Sequence, residues 1–456
     1  MEFITNAINV FFTFKAYVML PVILLLLALL IRMELKQALL LTLQLATGFA
    51  GIFIAFEFFV ENIGPAVESL MQQRGLDYPV LDVGWPPLAA ITWASPVAHL
   101  SIPLVILINI IMLATNACRT IYLDIWNYWH FALVGALVLA TNESLTMALL
   151  ATSLIAIYTI KLSDWTAPEV EKAVGRKGLA VAPLSSTGLL PYAVGVNWLF
   201  EKIPFAKTLD FNPQKRQGSL SLLAEPMVIG FVVGLVLGWA AVYSLKDTLE
   251  LAVHISAVMF ILPKCGALIG QGLEPVSIKL RDVIKQKFPS KANLNVAMDT
   301  GFLMEHKSII VTGIILMPIS LGLALILPGN KTLPLGDLPS LISQVTVIVL
   351  IMRGNVIRSV AAGIPLVIAY LLIASKLAPM FTELSLEVGV SLGTDAQITA
   401  FTDGGNPVRY WFLELFAGNF VAFCIIPVVG ILFWLSWKRY SLTQRTNEDS
   451  VLEDAA

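Results

Sequence analysis

Long apolar runs that alternate with short polar segments form the hydropathy pattern of this 456-residue chain. A run of roughly 20 apolar residues is long enough to cross the hydrocarbon of a membrane, about 30 Å thick, as a helix. Such runs lie at about 16–32, 38–60, 98–115, 121–140, 144–160, 226–243, 247–263, 308–327, 340–375 and 411–437. The run at 340–375 is expected to divide at Arg353-Gly354-Asn355. The pattern therefore predicts an all-α polytopic membrane protein with about 11 spanning segments.

Four segments between these runs have intermediate hydropathy, at about 80–96, 181–199, 293–306 and 391–407. The first, VLDVGWPPLAAITWASP, combines an acid, a glycine, three prolines and two tryptophans. Its Gly84, Pro86 and Pro87 interrupt a helix and free backbone N–H and C=O groups that lipid cannot satisfy. Such a segment persists at membrane depth only where protein or a water-filled cavity surrounds it. The pattern thus predicts re-entrant or broken helices.

The composition agrees with a membrane protein, because 57% of the residues are hydrophobic and 13% are charged, against about a quarter charged in soluble domains. The net charge of -2 excludes a basic nucleic-acid-binding surface. Four histidines and three separated cysteines show no zinc spacing, and no phosphate-binding glycine loop or nucleophile elbow is present. We expect no metal, no cofactor and no complete catalytic machinery in this chain.

Positive charges near the ends of the spans predict the orientation, because lysine and arginine stay mostly on the cytoplasmic side. Arg32 and Lys36 follow the first span, and Lys438, Arg439 and Arg445 follow the last. Both of these ends are expected in the cytoplasm. The N-terminus is then periplasmic, the C-terminus is cytoplasmic and the number of crossings is odd.

Two stretches of opposite charge predict interfacial helices. The stretch 264–291 carries five basic residues between positions 279 and 291 and is expected on the cytoplasmic side. The stretch 61–79 carries three acids and one arginine and is expected in the periplasm.

The same two stretches begin an internal repeat. IGPAVESLMQQRGLDYP followed by LDVGWP is similar to LEPVSIKLRDVIKQKFP followed by AMDTGF, and LATN then LDIWN is similar to LPGN then LGDLP. Four matches in the same order indicate a duplication, and the opposite sides of the interfacial helices indicate inverted copies. Inverted repeats with broken helices are typical of transporters whose substrate site lies between the halves.

The repeat divides the chain into six parts. We expect first-repeat scaffold spans and a periplasmic interfacial helix at 1–79, a first-repeat core at 80–200, a cytoplasmic linker at 201–225, second-repeat scaffold spans and a cytoplasmic interfacial helix at 226–292, a second-repeat core at 293–407, and a last span with a cytoplasmic tail at 408–456.

The broken segments contain the first candidate ligand groups. Asp82, Gly84 and Trp85 in one half, and Asp299 and Gly301 in the other, present an acid and free backbone groups to a ligand's hydroxyls. The alternative is a tight turn in which Asp82 only caps a helix. Trp85 alternatively anchors the chain at the membrane interface.

Further polar candidates lie on neighbouring segments. Asn127 and His130 recur three residues apart with Asp124, so on a helix they share one side. Polar groups on a membrane helix face a cavity or bond to neighbouring helices, and the sequence leaves both readings open. Ser185 and Ser186, in the proline-bounded PLSSTGLLP, form either a ligand-facing loop or a plain linker.

Glu305 and His306 are the candidate catalytic residues. They follow the second break by about one helical turn, where a buried carboxylate or imidazole can accept a proton from a substrate hydroxyl. The alternative is an interfacial pair that caps the next span.

Several motifs together resemble the membrane IIC component of the galactitol-type phosphoenolpyruvate-dependent phosphotransferase system. They are DVGWP, TWAS, DIWNYWH, LAEPMVIGF, PGNKTLPLGDL and RGNVIRS, and the resemblance covers nearly the whole chain. The resemblance implies a bacterial inner-membrane homodimer whose mobile core carries a sugar or polyol across the lipid bilayer like an elevator. It also implies cytoplasmic IIA and IIB partners, with a phosphocysteine of IIB as the phosphate donor, and a substrate site at the broken segments, the Asn127/His130 helix and the Ser185-Ser186 loop.

Two functions follow as hypotheses. The first is a IIC permease that presents a polyol or sugar to IIB for phosphorylation. The second is an ion-coupled secondary transporter of a small polar solute, in which Asp299, Glu305 or His306 relays protons.

Overall fold

The computed structural model describes residues 16–74, 78–175, 177–205, 210–213, 226–287, 294–303, 306–388 and 396–454. In the first half the elements are α1 (Ala16–Leu30), α2 (Leu35–Arg74), β1 (Val80–Asp82), α3 (Trp85–Ala94), α4 (Pro96–Ala114), β2 (Thr120–Ile121), α5 (Trp129–Asn142), α6 (Leu145–Val174), β3 (Leu179–Val181), α7 (Leu184–Thr187) and α8 (Leu190–Lys202). In the second half they are α9 (Pro226–Ala240), α10 (Leu245–Lys287), β4 (Asn295–Met298), α11 (Lys307–Ile326), β5 (Thr332–Leu333), α12 (Leu341–Gln344), α13 (Thr346–Ile351), α14 (Val356–Glu387), β6 (Gln397–Thr399), α15 (Pro407–Phe416) and α16 (Phe420–Asp454). Short 3-10 turns lie at Ile125–Tyr128, Thr300–Leu303 and Leu338–Ser340.

Six helices in the described part of the chain are long and apolar enough to cross a membrane. They are Leu35–Ala66, Pro96–Ala114, Leu145–Val174, Lys307–Ile326, Val356–Glu387 and Phe420–Thr443. Shorter apolar helices occur at Met227–Ala240 and Leu338–Ile351. The predicted class, a mostly helical multi-pass membrane protein, is confirmed at this level, whereas the number of about 11 spans stays a prediction.

In the described residues, the stretches predicted as interfacial helices at 61–79 and 264–291 belong to longer helices, and their interfacial position stays a prediction. Helix α2 continues without a break to Arg74, and α10 continues to Lys287. At 1.5 Å per residue these helices are about 60 and 65 Å long. A change from apolar to polar side chains changes the environment that a helix prefers, but it does not end the backbone hydrogen-bond ladder.

Helices α9 and α10 pack closely through small residues at every fourth position. A Cβ atom added at Gly234 would lie 2.4 Å from the Cα atom of Ala252. Similar close approaches pair Gly230 with Ser256 and Gly238 with Thr248. Small residues at this spacing let two helix backbones approach each other within a membrane.

Two three-stranded parallel sheets connect the halves of the chain. Strand β1 lies between β5 and β6, and β4 lies between β2 and β3. Each sheet thus takes its central strand from one half and its outer strands from the other. Because the strands of each sheet are parallel, their carboxyl ends meet at one edge. That geometry collects the residues following β1, β5 and β6 at one place, and those following β2, β3 and β4 at another.

The interruptions predicted from glycine and proline are present. Strand β1 ends at Asp82, Gly84 adopts a positive φ of 78°, and α3 begins at Trp85 with only 10 residues. Helix α13 ends at Ile351 before the left-handed Arg353 and Gly354. The sixfold domain division stays a prediction.

Candidate functional site

The carboxylate of Asp82 is fully enclosed where β1 meets β5 and β6. Its Oδ1 atom accepts hydrogen bonds from the backbone N–H groups of Gly84 (3.2 Å) and Phe401 (2.9 Å), and its Oδ2 atom accepts one from Asp337 (3.0 Å). Asp82 is 1% exposed. Its oxygens are therefore engaged by backbone from both halves of the chain.

Asp337 completes this closed carboxylate pair. It accepts hydrogen bonds from the backbone of Trp85 (3.2 Å), the hydroxyl of Ser340 (2.6 Å), and both the backbone N–H (3.0 Å) and the hydroxyl of Thr402. A Cβ atom at Gly336 would lie 2.5 Å from the carbonyl oxygen of Asp82. Only glycine at this position lets the two segments come so close.

A second pair of carboxylates, Asp124 and Asp299, lies at the corresponding edge of the other sheet. The backbone N–H of Gly301 donates to Oδ1 of Asp299 (3.1 Å), the same turn that Gly84 makes with Asp82. The side-chain amide of Asn127 donates to Asp299 (3.2 Å) and to Asp124 (2.8 Å). This pair also joins the two halves of the chain.

The second pair is open where the first is closed. Asp299 and Gly301 are exposed and Asp124 is half-buried, whereas Asn127 is buried. The carboxylate oxygens of this pair can therefore accept hydrogen bonds from a ligand.

Four tryptophan rings form one aromatic cluster, which includes Trp126, the residue before Asn127. The ring of Trp126 lies edge to face with the ring of Trp85, with centroids 6.1 Å apart. Trp85 also stacks towards Trp129 at 6.5 Å, and Trp93 stacks towards Trp126 at 6.4 Å. Trp85 remains partly exposed, so part of this cluster is accessible.

His130 contacts different partners from Asn127. Residues 125–128 form a 3-10 turn and α5 begins at Trp129, and residues three apart share a side in a 3-10 turn as they do in a helix. That both side chains face the ligand stays a prediction. The Nδ1 atom of His130 lies 3.0 Å from a guanidinium nitrogen of Arg409 and 3.5 Å from the carboxylate of Asp403. All three side chains are buried.

The hydroxyl-rich loop and His306 make other contacts. Ser185 and Ser186 are buried in α7, and the amide of Asn406 donates to the backbone carbonyl of Ser185 (3.5 Å). His306 is 9% exposed, precedes α11, and its Nδ1 atom is buried without a partner. Glu305 lies outside the described residues.

Several residues that hold these clusters together were not predicted from the sequence. Asp337 lies within LGDLP, a segment identified there as a repeat element and not as a site. Arg409 and Gln344 carried no signal, because a single arginine or glutamine in an apolar chain shows no partner in sequence. The match of LDIWN with LGDLP aligns Asp124 with Asp337 once one residue, Gly336, is inserted, and this signal could have revealed both pairs.

A cavity of about 470 Å³ is lined by a different set of residues. Apolar side chains of α8, α14 and α16, including Pro191, Leu366 and Leu432, form much of its lining. Among the described residues, none of those predicted for the site lines it.

The comparisons with known proteins agree with the resemblance carried by the motifs. The family model described as "PTS system sugar-specific permease component", EIIC-GAT, matches residues 10–395. The chain belongs to this family. Galactitol-specific EIIC components of Escherichia coli strain K12 and of Escherichia coli O157:H7 are each 30% identical over 424 residues, which cover 92% of this chain and 94% of theirs. A provisionally named permease IIC component of strain K12 is 32% identical over 416 residues, which cover 91% of this chain and 94% of the relative.

Membership identifies the chain as a permease subunit of a sugar phosphotransferase system. Permeases of this family act on sugar substrates together with IIA and IIB components. The open pair at Asp124 and Asp299 is therefore a candidate sugar site of the permease.

Proposed function

We propose that this permease carries a neutral polyol of the galactitol type inward and presents it to a phosphorylated IIB protein. The observation that supports this proposal best is the open cluster of Asp124, Asn127, Asp299 and Gly301, where both halves of the chain contribute polar groups. The galactitol-specific relatives support the substrate class.

The chemistry of this cluster suits a polyol. Each hydroxyl is both a donor and an acceptor, so an uncharged polyol is recognised by directional hydrogen bonds. Asp299 supplies acceptors, Asn127 supplies a donor, and the partly exposed Trp85 ring packs against the C–H face of the ligand. A ligand that lacks one hydroxyl leaves a buried group unpaired and binds far more weakly.

Asp82 takes a different role in this proposal, although its carboxylate was predicted to contact the substrate. The three backbone N–H groups that it accepts belong to both halves. We propose that Asp82 stabilises the junction of β1 with β5 and β6. Gly84 and the backbone of Trp85 share this role, while the indole of Trp85 faces the ligand.

Polyol binding to the purified permease tests the site. We expect Asp299→Ala to weaken galactitol binding by about 1–3 kcal/mol, a factor of roughly 5 to 150 in Kd, because the ligand hydroxyl loses its acceptor. Asp210→Ala, at an exposed aspartate outside the site, is the matched control and should bind as the parent does. Equal Kd values for the parent and Asp299→Ala would remove the open pair from the site.

An elevator motion of the two cores accounts for transport in this proposal. The scaffold comprises α1, α2, α9 and α10, and the inverted halves give alternate access to the bacterial inner membrane's two sides. The N-terminus is periplasmic and the C-terminus is cytoplasmic. Cysteines introduced one at a time at Gln72 and Lys279, in a Cys424→Ser background that keeps only the buried Cys118 and Cys265, should react with an impermeant reagent from outside and inside respectively. Labelling of both from the same side would contradict the inversion.

We also propose a homodimer, with the apolar α1 and α2 as the contact between protomers. Several leucines of these helices, such as Leu30, Leu40 and Leu43, are exposed. The detergent-solubilised particle should have twice the protomer mass in mass photometry. A particle that stays monomeric across a wide range of dilution would contradict this assignment.

A further inference from the structure

We propose that Arg409 is a positioning residue that keeps the His130 imidazole neutral, with its proton on Nε2, so that His130 donates a hydrogen bond to a sugar hydroxyl. This inference rests on the proposed function and adds His130, a substrate-binding candidate from the sequence, to the sugar contacts. It assigns a role to an arginine that the sequence did not single out. The His130 ring stacks on Trp129 with centroids 4.0 Å apart, and Trp129 stacks towards the ligand-facing Trp85.

The first step concerns which nitrogen carries the proton. A guanidinium group has only N–H donors and accepts nothing. The Nδ1 atom of His130 lies 3.0 Å from a guanidinium nitrogen of Arg409, so Nδ1 must be the acceptor and cannot carry a proton. A neutral imidazole then carries its proton on Nε2. No described residue forms a hydrogen bond with Nε2, which leaves this donor available to a ligand.

The second step concerns the charges around the ring. Asp403 lies 3.5 Å from the same Nδ1 atom and 3.6 Å from Arg409. Without the guanidinium, this carboxylate would attract a proton onto Nδ1. Two further titratable groups are connected to this cluster by hydrogen bonds. Asp337 accepts from the backbone N–H of Thr402, the residue before Asp403, and Tyr370 donates to Gln344, whose amide donates to Asp403. Arg409 neutralises Asp403 and occupies the position that a proton on Nδ1 would need.

The third step concerns how Arg409 is held. Its side chain is fully buried, donates to the backbone carbonyl of Asp403, and lies 5.6 Å from the centroid of Trp129. Asn406 caps the first turn of α15 by accepting hydrogen bonds from Val408 (3.0 Å) and Arg409 (3.1 Å). The turn before α15 therefore fixes both the carboxylate and the guanidinium against the ring.

The tautomer of the parent protein provides the first test and needs no variant. The chain has only four histidines, so nitrogen NMR of histidine-labelled permease can resolve them, with His130 assigned by its loss in His130→Gln. We expect a protonated Nε2 and an unprotonated Nδ1 between about pH 6 and pH 8. A proton on Nδ1 in this range would overturn the proposal.

A pair of substitutions tests whether the donor at Nε2 matters for binding. The amide nitrogen of glutamine lies near the place of Nε2, whereas that of asparagine lies near the place of Nδ1. We expect His130→Gln to bind galactitol within about threefold of the parent and His130→Asn to bind about tenfold more weakly, the loss of roughly one hydrogen bond. Equal affinities in both variants would overturn the contact between His130 and the sugar.

The pH profile of Arg409→Gln distinguishes positioning from a general structural role. In this variant the neutral His130 imidazole carries its proton on Nδ1, where it donates to Asp403, and Nε2 is no longer a donor. At lower pH the imidazolium carries protons on both nitrogens, so the Nε2 donor returns. We expect binding about tenfold weaker than in the parent near pH 8 and largely restored near pH 6, with a flat profile in the parent. Arg439→Gln, which removes an arginine paired with Glu169 at 2.8 Å, is the control and should keep the parent's profile.

The sugar contact of His130 and the positioning role of Arg409 can fail separately. A tautomer that changes in Arg409→Gln while every His130 variant binds as the parent does would overturn the sugar contact and with it this part of the proposed function. A tautomer on Nε2 in both the parent and Arg409→Gln would overturn the positioning role, whatever the binding data show.

Discussion

Asp82 and Asp299 occupy corresponding positions after β1 and β4 and make the same turn with a glycine two residues later. Their surroundings differ. Gly336 precedes Asp337 and lets the segments around Asp82 and Asp337 come close, whereas the larger Leu123 precedes Asp124. Phe401 and Thr402 add backbone donors to the closed pair, while Asp299 stays exposed.

Asp82→Ala should lower the stability of the fold. The substitution orphans three buried N–H groups, and each orphaned group costs about 1–3 kcal/mol. We expect a lower midpoint of thermal unfolding in detergent than for Asp299→Ala, measured by the fluorescence of the buried tryptophans. An Asp82→Ala protein that unfolds with the parent but has lost galactitol binding would return Asp82 to the ligand site.

His306→Gln should slow phosphate transfer and leave binding intact. Burial lowers the pKa of His306 from its ordinary value of 6.5, so the imidazole is neutral at pH 7 and can accept a proton from the attacking hydroxyl. We expect the parent's single-turnover transfer rate from phospho-IIB to stay level above about pH 6.5 and to fall in acid as the imidazole becomes protonated.

The variant should transfer about 10²-fold or more slowly and lose this acid limb. Glu305→Gln tests the second candidate base in the same assay. If both variants match the parent at every pH, IIB alone supplies the base and the two residues have no catalytic role.

At the scale of elements, the sequence predicted the interruptions well and the continuity of helices poorly. Glycine and proline act locally, so the breaks at Gly84 and at Arg353-Gly354-Asn355 could be located. The ends of α2 and α10 could not, because a helix continues through a change of polarity. Residues with positive φ occur at corresponding places in the two repeats: Arg32 corresponds to Val242, and Asn116 to Gly329. In sequence, glycine is the residue that most readily indicates such a turn.

The packing of α9 against α10 gives a prediction at this scale. Gly234→Ala places a methyl group 2.4 Å from the Cα atom of Ala252, so the helices must separate and the unfolding midpoint should fall by several degrees. Gly322→Ala in α11 is the matched control, because no atom lies within 4 Å of its added Cβ. Alanine is the better helix former by about 1 kcal/mol, so this control should be at least as stable as the parent. Equal losses in both variants would show that the glycine stripe is not a tight contact.

At the scale of the whole molecule, the strand exchange between halves explains why the site residues could be proposed but not grouped from sequence. The repeat placed Asp82 and Asp299 in register, but the partners of each come from the other half, through β5 and β6 or through β2 and β3. Contacts between residues more than 150 positions apart, such as Asn127 with Asp299, produce no periodic pattern in the sequence. Membership of the EIIC-GAT family and the polytopic class followed from motifs and hydropathy, which are properties of the sequence itself.

Uptake into vesicles that contain the permease tests the central claim most directly. Labelled galactitol and related polyols are supplied outside, with phospho-IIB or a proton gradient as the only source of energy. We predict that galactitol accumulates inside only with phospho-IIB and only as its phosphate, and that Asp299→Ala lowers this accumulation while Asp210→Ala does not. Accumulation of free galactitol driven by the proton gradient alone would contradict the account and favour an ion-coupled transporter.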